Sequence, residues 1–389
     1  MKKINKNILL LGMVSFLNDF SSEMIMPILP MFIRSLGGTE AVVGLVGGLR
    51  DSISSVLKLV FGWLSDRTGK RKVYVIFGYL SSAVFKLMLG FSKIWQQIVI
   101  FAGLERVGKG MRTAPRDAII SSSAKDKKGR GFGIHRAMDT AGAIIGALSA
   151  FLLFWFLGFN FKTIIIIAAV LSLLSLIPLH PVKEKKTLEK KETSLKVGLK
   201  SISKPLKAVI IITGLFALSN FSYMFFILKA RDSFEGILSP KLAVGLPILL
   251  YVLFNIFYAS FSIPFGNISD KIGRRKVLII GYFLFSLTSL GFAFFNSVGA
   301  FIALFALYGI VYSIVDGNQR AYVSDISSEE LRATALGTFH MIIGLAALPA
   351  SLIAGYLWKF GSIYTFLYGS LFSAVAGILF LIYPIIVKQ

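Results

Sequence analysis

The sequence predicts an all-α polytopic membrane protein of twelve spans, arranged as two pseudo-symmetric six-helix bundles. Three observations carry this expectation. The 389 residues are 55% hydrophobic and only 16% charged, whereas a soluble domain carries about 25% charge. Apolar runs of about 20 residues, each long enough to cross ~30 Å of hydrocarbon, recur from end to end. The second half also repeats the first at constant spacing. Transmembrane strands would alternate apolar and polar residues; these runs do not, so the spans are read as helices.

Gly, Pro, Asn and charged residues bound the first six spans near 8–33, 41–63, 73–91, 95–122, 131–157 and 161–180. The second six lie near 207–229, 242–265, 276–294, 298–323, 331–358 and 362–386. The domain division that follows is 1–180, a polar linker over 181–206, and 207–389. The first apolar segment carries charge and lacks a small-residue cleavage site, so it reads as a span and not a removable signal.

The net charge of +23 does not point to nucleic acid, because the positive residues sit mostly in short connectors. Lys2, Lys3 and Lys6, then Arg67–Lys72, Lys125–Arg130, Lys183–Lys207 and Lys271–Lys276 alternate as expected for one side of the membrane. The opposite loops hold little beyond Arg34, Lys93, Lys162, Lys229, Arg231, Lys241 and Lys359. The positive-inside rule then places both termini in the cytoplasm. The linker lysines read first as a solvated tether and second as a contact for anionic lipid heads. With no cysteine, the chain has no disulfide or thiolate site.

The internal repeat is explicit. FGWLSDRTGKRKV at Phe61–Val73 returns as FGNISDKIGRRKV at Phe265–Val277, so Asp66 lies 204 residues before Asp270. The same register brings Phe91 onto Phe295, Arg116 onto Arg320 and Gly133 onto Gly337. Parallel six-span repeats are a common plan for secondary transporters, with the substrate site near the bilayer midplane.

Gly62–Lys72 resembles the signature loop of the major facilitator superfamily, between the second and third spans, and Gly266–Lys276 resembles its second copy. Arg106-x-x-Lys109-Gly110 resembles the superfamily's fourth-span motif, with Lys where Gln is usual. The likeness covers essentially the whole chain. SFLNDFSSEMIMPILP, ERVGKGMRTAPRDAII and GFGIHRAMDTAGAIIG resemble a prokaryotic, twelve-span, drug or organic-solute exporter-like subgroup. Ala141–Gly146 departs from the drug–proton antiporter pattern by lacking its proline. The resemblance implies the major facilitator fold in a prokaryotic cytoplasmic membrane. It also implies a gating role for Gly62, Asp66, Arg67, Gly69 and Arg71, for Gly266, Asp270 and Gly273, and for Arg116 and Arg320 as partners of the loop aspartates. Read from the residues alone, Gly62 and Gly266 allow close helix approach, and Gly69 and Gly273 permit a turn. The aspartates bond basic groups or cap a helix, while Arg67, Arg71 and Lys72 set topology.

The stretch GLERVGKGMRTAPRD, Gly103–Asp117, sits between apolar flanks and begins like a phosphate-binding loop. That reading fails, because position 110 is Gly where Ser or Thr should reach a magnesium ion, and no strand precedes it. As a fourth span, Glu105, Arg106, Lys109 and Arg112 would cost roughly 10–14 kcal/mol against lipid. They are therefore expected to face the bundle interior or a wet cavity. Positions 105, 109, 112 and 116 form one helical stripe, with Arg106 turned aside toward a neighbour.

Other early spans carry ionic residues too. Asp19 and Glu23 share a face of span one; Arg50, Asp51 and Lys58 lie in span two; Lys86 in span three; His135, Arg136 and Asp139 in span five. The later half is sparser, with Asn220, Asn255, Asp316, Asn318, Gln319 and His340. The candidate proton-coupling residues are Asp19, Glu23, Glu105 and Asp139. The candidate substrate-binding residues are Arg50, Lys58, Lys86, Arg106, Lys109, Arg112, Arg136 and Asn220. Mutual charge pairing is the alternative for both sets. Three histidines, none at paired ligand spacing, leave a metal site and metal-ion transport a remote reading. No cofactor is expected, and no Ser–His–Asp or metal constellation suggests an enzyme. The expected function is alternating-access transport of a small anionic or zwitterionic solute, proton-coupled, with export preferred; a multidrug/proton antiporter is the alternative. A non-transporting sensor would need a soluble domain, which these 389 residues do not contain. Expected partners are substrate, protons and membrane lipid, with a monomeric chain.

Overall fold

In the computed structural model, which describes residues 5–124, 128–184, 203–327 and 332–388, every regular element is a helix. Lys2, Lys3, the loop residues 125–127 and the linker residues 185–202, to which the sequence reading assigned topology and lipid contact, lie outside the described residues. The helices are α1 (Lys6–Ile25), α2 (Leu29–Ser35), α3 (Glu40–Thr68), α4 (Arg71–Gly90), α5 (Trp95–Ala124), α6 (Lys128–Trp155), α7 (Phe161–Leu174) and α8 (Leu176–Leu179). They continue as α9 (Lys204–Ser219), α10 (Met224–Phe234), α11 (Pro240–Ile272), α12 (Arg274–Phe294), α13 (Val298–Asp325), α14 (Arg332–Leu357) and α15 (Ser362–Lys388).

Ten helical stretches among the described residues are long and apolar enough to cross a membrane. The 29-residue α3 and the 30-residue α5 are long enough but carry too much charge to join that set.

Two expected spans are broken. The first divides into α1 and α2 at Pro27, which has no N–H to offer the helical ladder. The seventh divides into α9 and α10 at Asn220, with no proline nearby. A helix opened at membrane depth must find new partners for its freed backbone groups, and it does. Tyr368 Oη donates to Leu218 O at 2.7 Å, and Ser222 N donates to Ser351 Oγ at 3.1 Å.

The chain forms two compact units. The first holds α1, α2, α3 from Ile53 onward and α4–α8; the second holds Thr39–Ser52 and α9–α15. In the first unit, glycines bring backbones together, the usual device where lipid supplies no hydrophobic drive between helices. A Cβ on Gly142 or Gly146 of α6 would collide with the carbonyls of Phe16 and Phe20 on α1. Gly78 of α4 and Gly108 of α5 face each other, and a Cβ on Gly108 would lie 2.5 Å from Gly78 O. The second unit is filled by rings. Phe226 stacks on Tyr308 at 4.2 Å and meets Phe292 and Phe366 edge-on at 4.8 and 5.2 Å.

Candidate functional site

The ionic stripe of α5 is buried in the first unit. Glu105 and Arg106 form an ion pair at 3.0 Å, both almost fully enclosed. Arg106 also reaches Met26 Sδ at 3.8 Å, at the α1–α2 break. Arg112 turns toward α4. Its guanidinium donates to Ser82 Oγ at 2.5 Å and Gly78 O at 3.3 Å and lies 4.5 Å above the Tyr79 ring. The missing side chain at Gly78 makes room for it, since a Cβ there would sit 2.7 Å from Arg112 Cβ. Lys109, half-buried, lies within electrostatic reach of Arg106, Asp19, Lys58 and Arg112.

Asp19 of α1 and Asp139 of α6 stand one turn on from the Ser15–His135 contact, where Gly142 and Gly146 bring the two helices together, and their carboxyl groups are close enough to act on each other. Lys109, Arg112 and Arg116 supply the positive field around Asp19. Beside this pair Ser15 is a hub. Its Oγ accepts from Arg116 at 3.0 Å, meets His135 Nε2 at 2.8 Å and lies 3.4 Å from Tyr79 Oη. His135 thus joins a polar cluster drawn from four helices. Asp139 also takes a 3.3 Å contact from Arg136, whose side chain is 56% exposed. Glu23, one turn beyond Asp19, and Lys58 are half-buried, and Arg50 is buried in the part of α3 that belongs to the second unit.

Lys86 is 1% exposed and sits among oxygens of α1 and α7.

The second unit holds a cavity of about 130 Å³ lined by Phe216, Asn220, Tyr312, Asp316, Arg320 and His340, among others. Asp316 pairs with Arg320 and accepts from Tyr258 Oη at 2.8 Å. Asn220, freed from the helix, accepts from Tyr312 Oη at 3.0 Å. Nothing in the sequence singled out Tyr258 and Tyr312. Register gives no signal for them, since Ser54 and Gly108 stand 204 residues earlier; it does match Asp316 to Arg112.

The two signature loops share a turn and differ in packing. Gly69 and Gly273 adopt φ of 66° and 99°, the left-handed region that glycine enters without cost. Asp66 pairs with Arg71 at 2.7 Å, and Asp270 with Arg274 at 2.8 Å, Arg274 also pairing with Asp325. Neither aspartate meets the arginine that the sequence suggested: Arg116 pairs with Asp117 and Arg320 with Asp316. Arg67 lies over Trp63, 5.4 Å from its centroid. A Cβ on Gly62 would lie 3.1 Å from Ala114 Cβ, whereas Gly266 faces open space. A further residue was missed. Glu184 accepts from Arg71 N and Lys72 N at 2.7 and 3.0 Å and caps α4 from 113 residues away.

A repeated helical membrane fold with an ionic core in one unit defines a polytopic transporter. The chain belongs to the Major Facilitator Superfamily, whose family model matches residues 11–235 and 210–386. It is 56% identical over 380 residues to an MFS-type transporter of Methanocaldococcus jannaschii, covering 98% of this chain and 95% of that protein. It is 22% identical over 343 residues to the multidrug resistance protein MdtH of Aeromonas hydrophila, covering 86% and 83%. It is 26% identical over 294 residues to the multidrug resistance protein MdtG of Proteus mirabilis, covering 70% and 69%. Among solved structures, the nucleoside transporter NupG superposes with a TM-score of 0.82 at 16% identity, covering 97% of this chain and 98% of that one. That likeness concerns the fold.

Proposed function

We propose that the chain is a secondary active transporter that moves a small anionic or zwitterionic organic solute by alternating access, in exchange for protons and in the export direction. The observation that carries this reading is the approach of Asp19 to Asp139, on helices joined one turn earlier by the Ser15–His135 contact, among Lys109, Arg112 and Arg116. Two carboxyls brought close together compete for a proton, because like charges at short range do not both stay ionised. Separating the pair, or bringing an anion to the surrounding cations, changes which carboxyl keeps that proton. Glu23 and Glu105 extend the acidic set. Lys109 leads the substrate contact, and Arg50, Lys58, Arg106, Arg112 and Arg136 supply the positive field that favours an anion. Asn220, at the α9–α10 break, adds a polar contact. α3 and α5 complete twelve spans, their charges set against protein or an aqueous path. The monomeric chain lies in the cytoplasmic membrane with both termini inside. Gly62, Asp66, Arg67, Gly69 and Arg71, with Arg116 and the second loop's Gly266, Asp270, Gly273 and Arg320, gate the cytoplasmic side.

A second reading, a multidrug/proton antiporter, is favoured by the likeness to MdtH and MdtG and by the aromatic lining of the cavity at Phe216, Tyr312 and Phe339.

The test is flux in proteoliposomes containing the full chain, with an imposed pH gradient and a panel of anionic, zwitterionic and lipophilic cationic solutes. Gradient-driven movement of anions or zwitterions is expected. Asp19→Asn and Asp139→Asn should each abolish the gradient's effect while leaving exchange without a gradient. Transport of lipophilic cations alone would favour the second reading. Flux indifferent to the gradient in the unaltered protein would end the coupling proposal.

A further inference from the structure

Lys86, a substrate-binding candidate by sequence, is fully enclosed in a setting that the proposed transport cycle does not use. Its ammonium has five oxygens around it: Ser22 Oγ at 2.9 Å, Ser21 Oγ at 3.0 Å, Ser172 Oγ at 3.3 Å, and Asn18 O and Oδ1 both at 3.4 Å. An ammonium has three N–H groups, so this is more oxygen than hydrogen bonding alone requires. All five ligands are neutral. The carboxylates that act on Lys86 do so from a distance, from Glu105 and Asp19.

The polarity of the cage is set by its own hydrogen bonds. Ser172 donates its hydroxyl proton to Asn18 Oδ1 at 3.2 Å, and Asn18 Nδ2 donates onward to Asp19 Oδ1 at 3.3 Å. At Ser172 and Asn18 the donors are thus engaged elsewhere, and all five oxygens accept from the ammonium. A carbonyl, an amide oxygen and hydroxyls, converging without a carboxylate, are the ligand types that replace the water shell of a hard monovalent cation. The site is closed: Lys86 and Ser21, Ser22 and Ser172 are all buried.

We infer that this cage is a monovalent-cation site whose resident cation is the protein's own Lys86 ammonium. The unaltered chain therefore needs no dissolved sodium or potassium ion here. Shortening the side chain would vacate the site and expose a binding place for a small free cation. This inference does not depend on the transported solute or on proton coupling.

The experiment measures thermal unfolding of the purified full chain in detergent, in chloride salts of ammonium, sodium, potassium, rubidium and choline at equal ionic strength. The unaltered protein should unfold at one temperature in all five. Lys86→Ala should unfold lower in choline and recover saturably with a small cation, the shift growing as the logarithm of its concentration above the dissociation constant. Lys86→Ala should also retain about one radioactive rubidium ion per chain in equilibrium dialysis beyond what the unaltered protein retains, as a single site requires. Lys86→Met fills the space with a neutral tip, so it should lose stability that no salt restores. Equal responses of Lys86→Ala to choline and to the small cations would overturn the assignment. So would a Lys86→Met protein as stable as the unaltered one, a result that stands even where Lys86→Ala fails to fold.

Discussion

The two units share a scaffold and differ in chemistry at matching positions. Their loops turn on glycines of positive φ, Gly69 and Gly273, beside the ion pairs Asp66–Arg71 and Asp270–Arg274. One span further on, Arg112 of the first unit corresponds in register to Asp316 of the second. Arg112 is buried against Gly78, Ser82 and Tyr79, while Asp316 lines a cavity with Arg320 and Tyr258. The first unit keeps most of the buried ions, among small residues; the second is filled by rings and buries Arg50 and Lys229. The repeat thus preserved what shapes the helices and turns and left the cavity side chains to diverge. Four of the six buried Lys, Arg and Glu side chains among the described residues belong to the first unit.

That contrast is tested most severely by removing the register mates. Arg112→Ala would strip a buried cation from its acceptors, a loss of about 2–4 kcal/mol of stability, and should lower affinity for an anionic solute at least ~10-fold in binding titrations. Asp316→Asn keeps the shape of a partly exposed group and should change flux by less than ~3-fold, since surface pairs contribute about 0–1 kcal/mol. An inert Arg112→Ala beside an inactive Asp316→Asn would reverse the comparison.

An intermediate effect is expected at the α4 cap. Glu184→Ala removes a carboxylate from two backbone N–H groups and should cost about 0.5–2 kcal/mol in denaturant or thermal unfolding. The second unit offers a control, because Gly273 leads directly into α12 and, among the described residues, no distant carboxylate is seen on its first N–H groups.

Smaller changes are expected at the loop aspartates. Asp66 and Asp270 are 62% and 60% exposed in their pairs, so Asp66→Asn and Asp270→Asn should each shift stability by less than ~1 kcal/mol. The gating proposal expects the flux of Asp66→Asn to fall all the same. Unfolding and transport measured on one preparation separate the two effects.

The smallest and most discriminating pair is Gly62→Ala against Gly266→Ala. Alanine gains about 0.5–1 kcal/mol over glycine in a helix interior. At Gly266 the added methyl meets nothing, so the gain should appear as a higher unfolding temperature. At Gly62 it presses on Ala114, and the gain should vanish.

Much of the fold was legible before any coordinates. Length and hydropathy marked the helices, because a backbone in lipid must bond to itself within each segment. The signature turns were legible because only glycine enters the left-handed region freely. The burial of Glu105, Arg106 and Arg112 followed from the cost of exposing charge to hydrocarbon. Their partners did not follow. Arg106 turns toward the α1–α2 break as its place on the helix suggested, yet its ion-pair partner is the adjacent Glu105. Arg116 was matched by motif to a loop aspartate and instead meets Ser15 and Asp117. The break at Asn220 was hidden because no proline marks it; the groups that satisfy it come from Ser351 and Tyr368, far along the chain.

The sequence by itself determined the helical membrane class, the doubled architecture, the loop turns and the imbalance of charge between the halves, since each depends on local hydropathy, local backbone freedom or simple register. Only the tertiary structure decided that Asp19 approaches Asp139, that Lys86 is caged by neutral oxygens and that Glu184 caps α4. The reason is geometric. Contacts between helices depend on how each helix is rotated and how closely glycines let it approach, and spacing along one chain carries neither quantity.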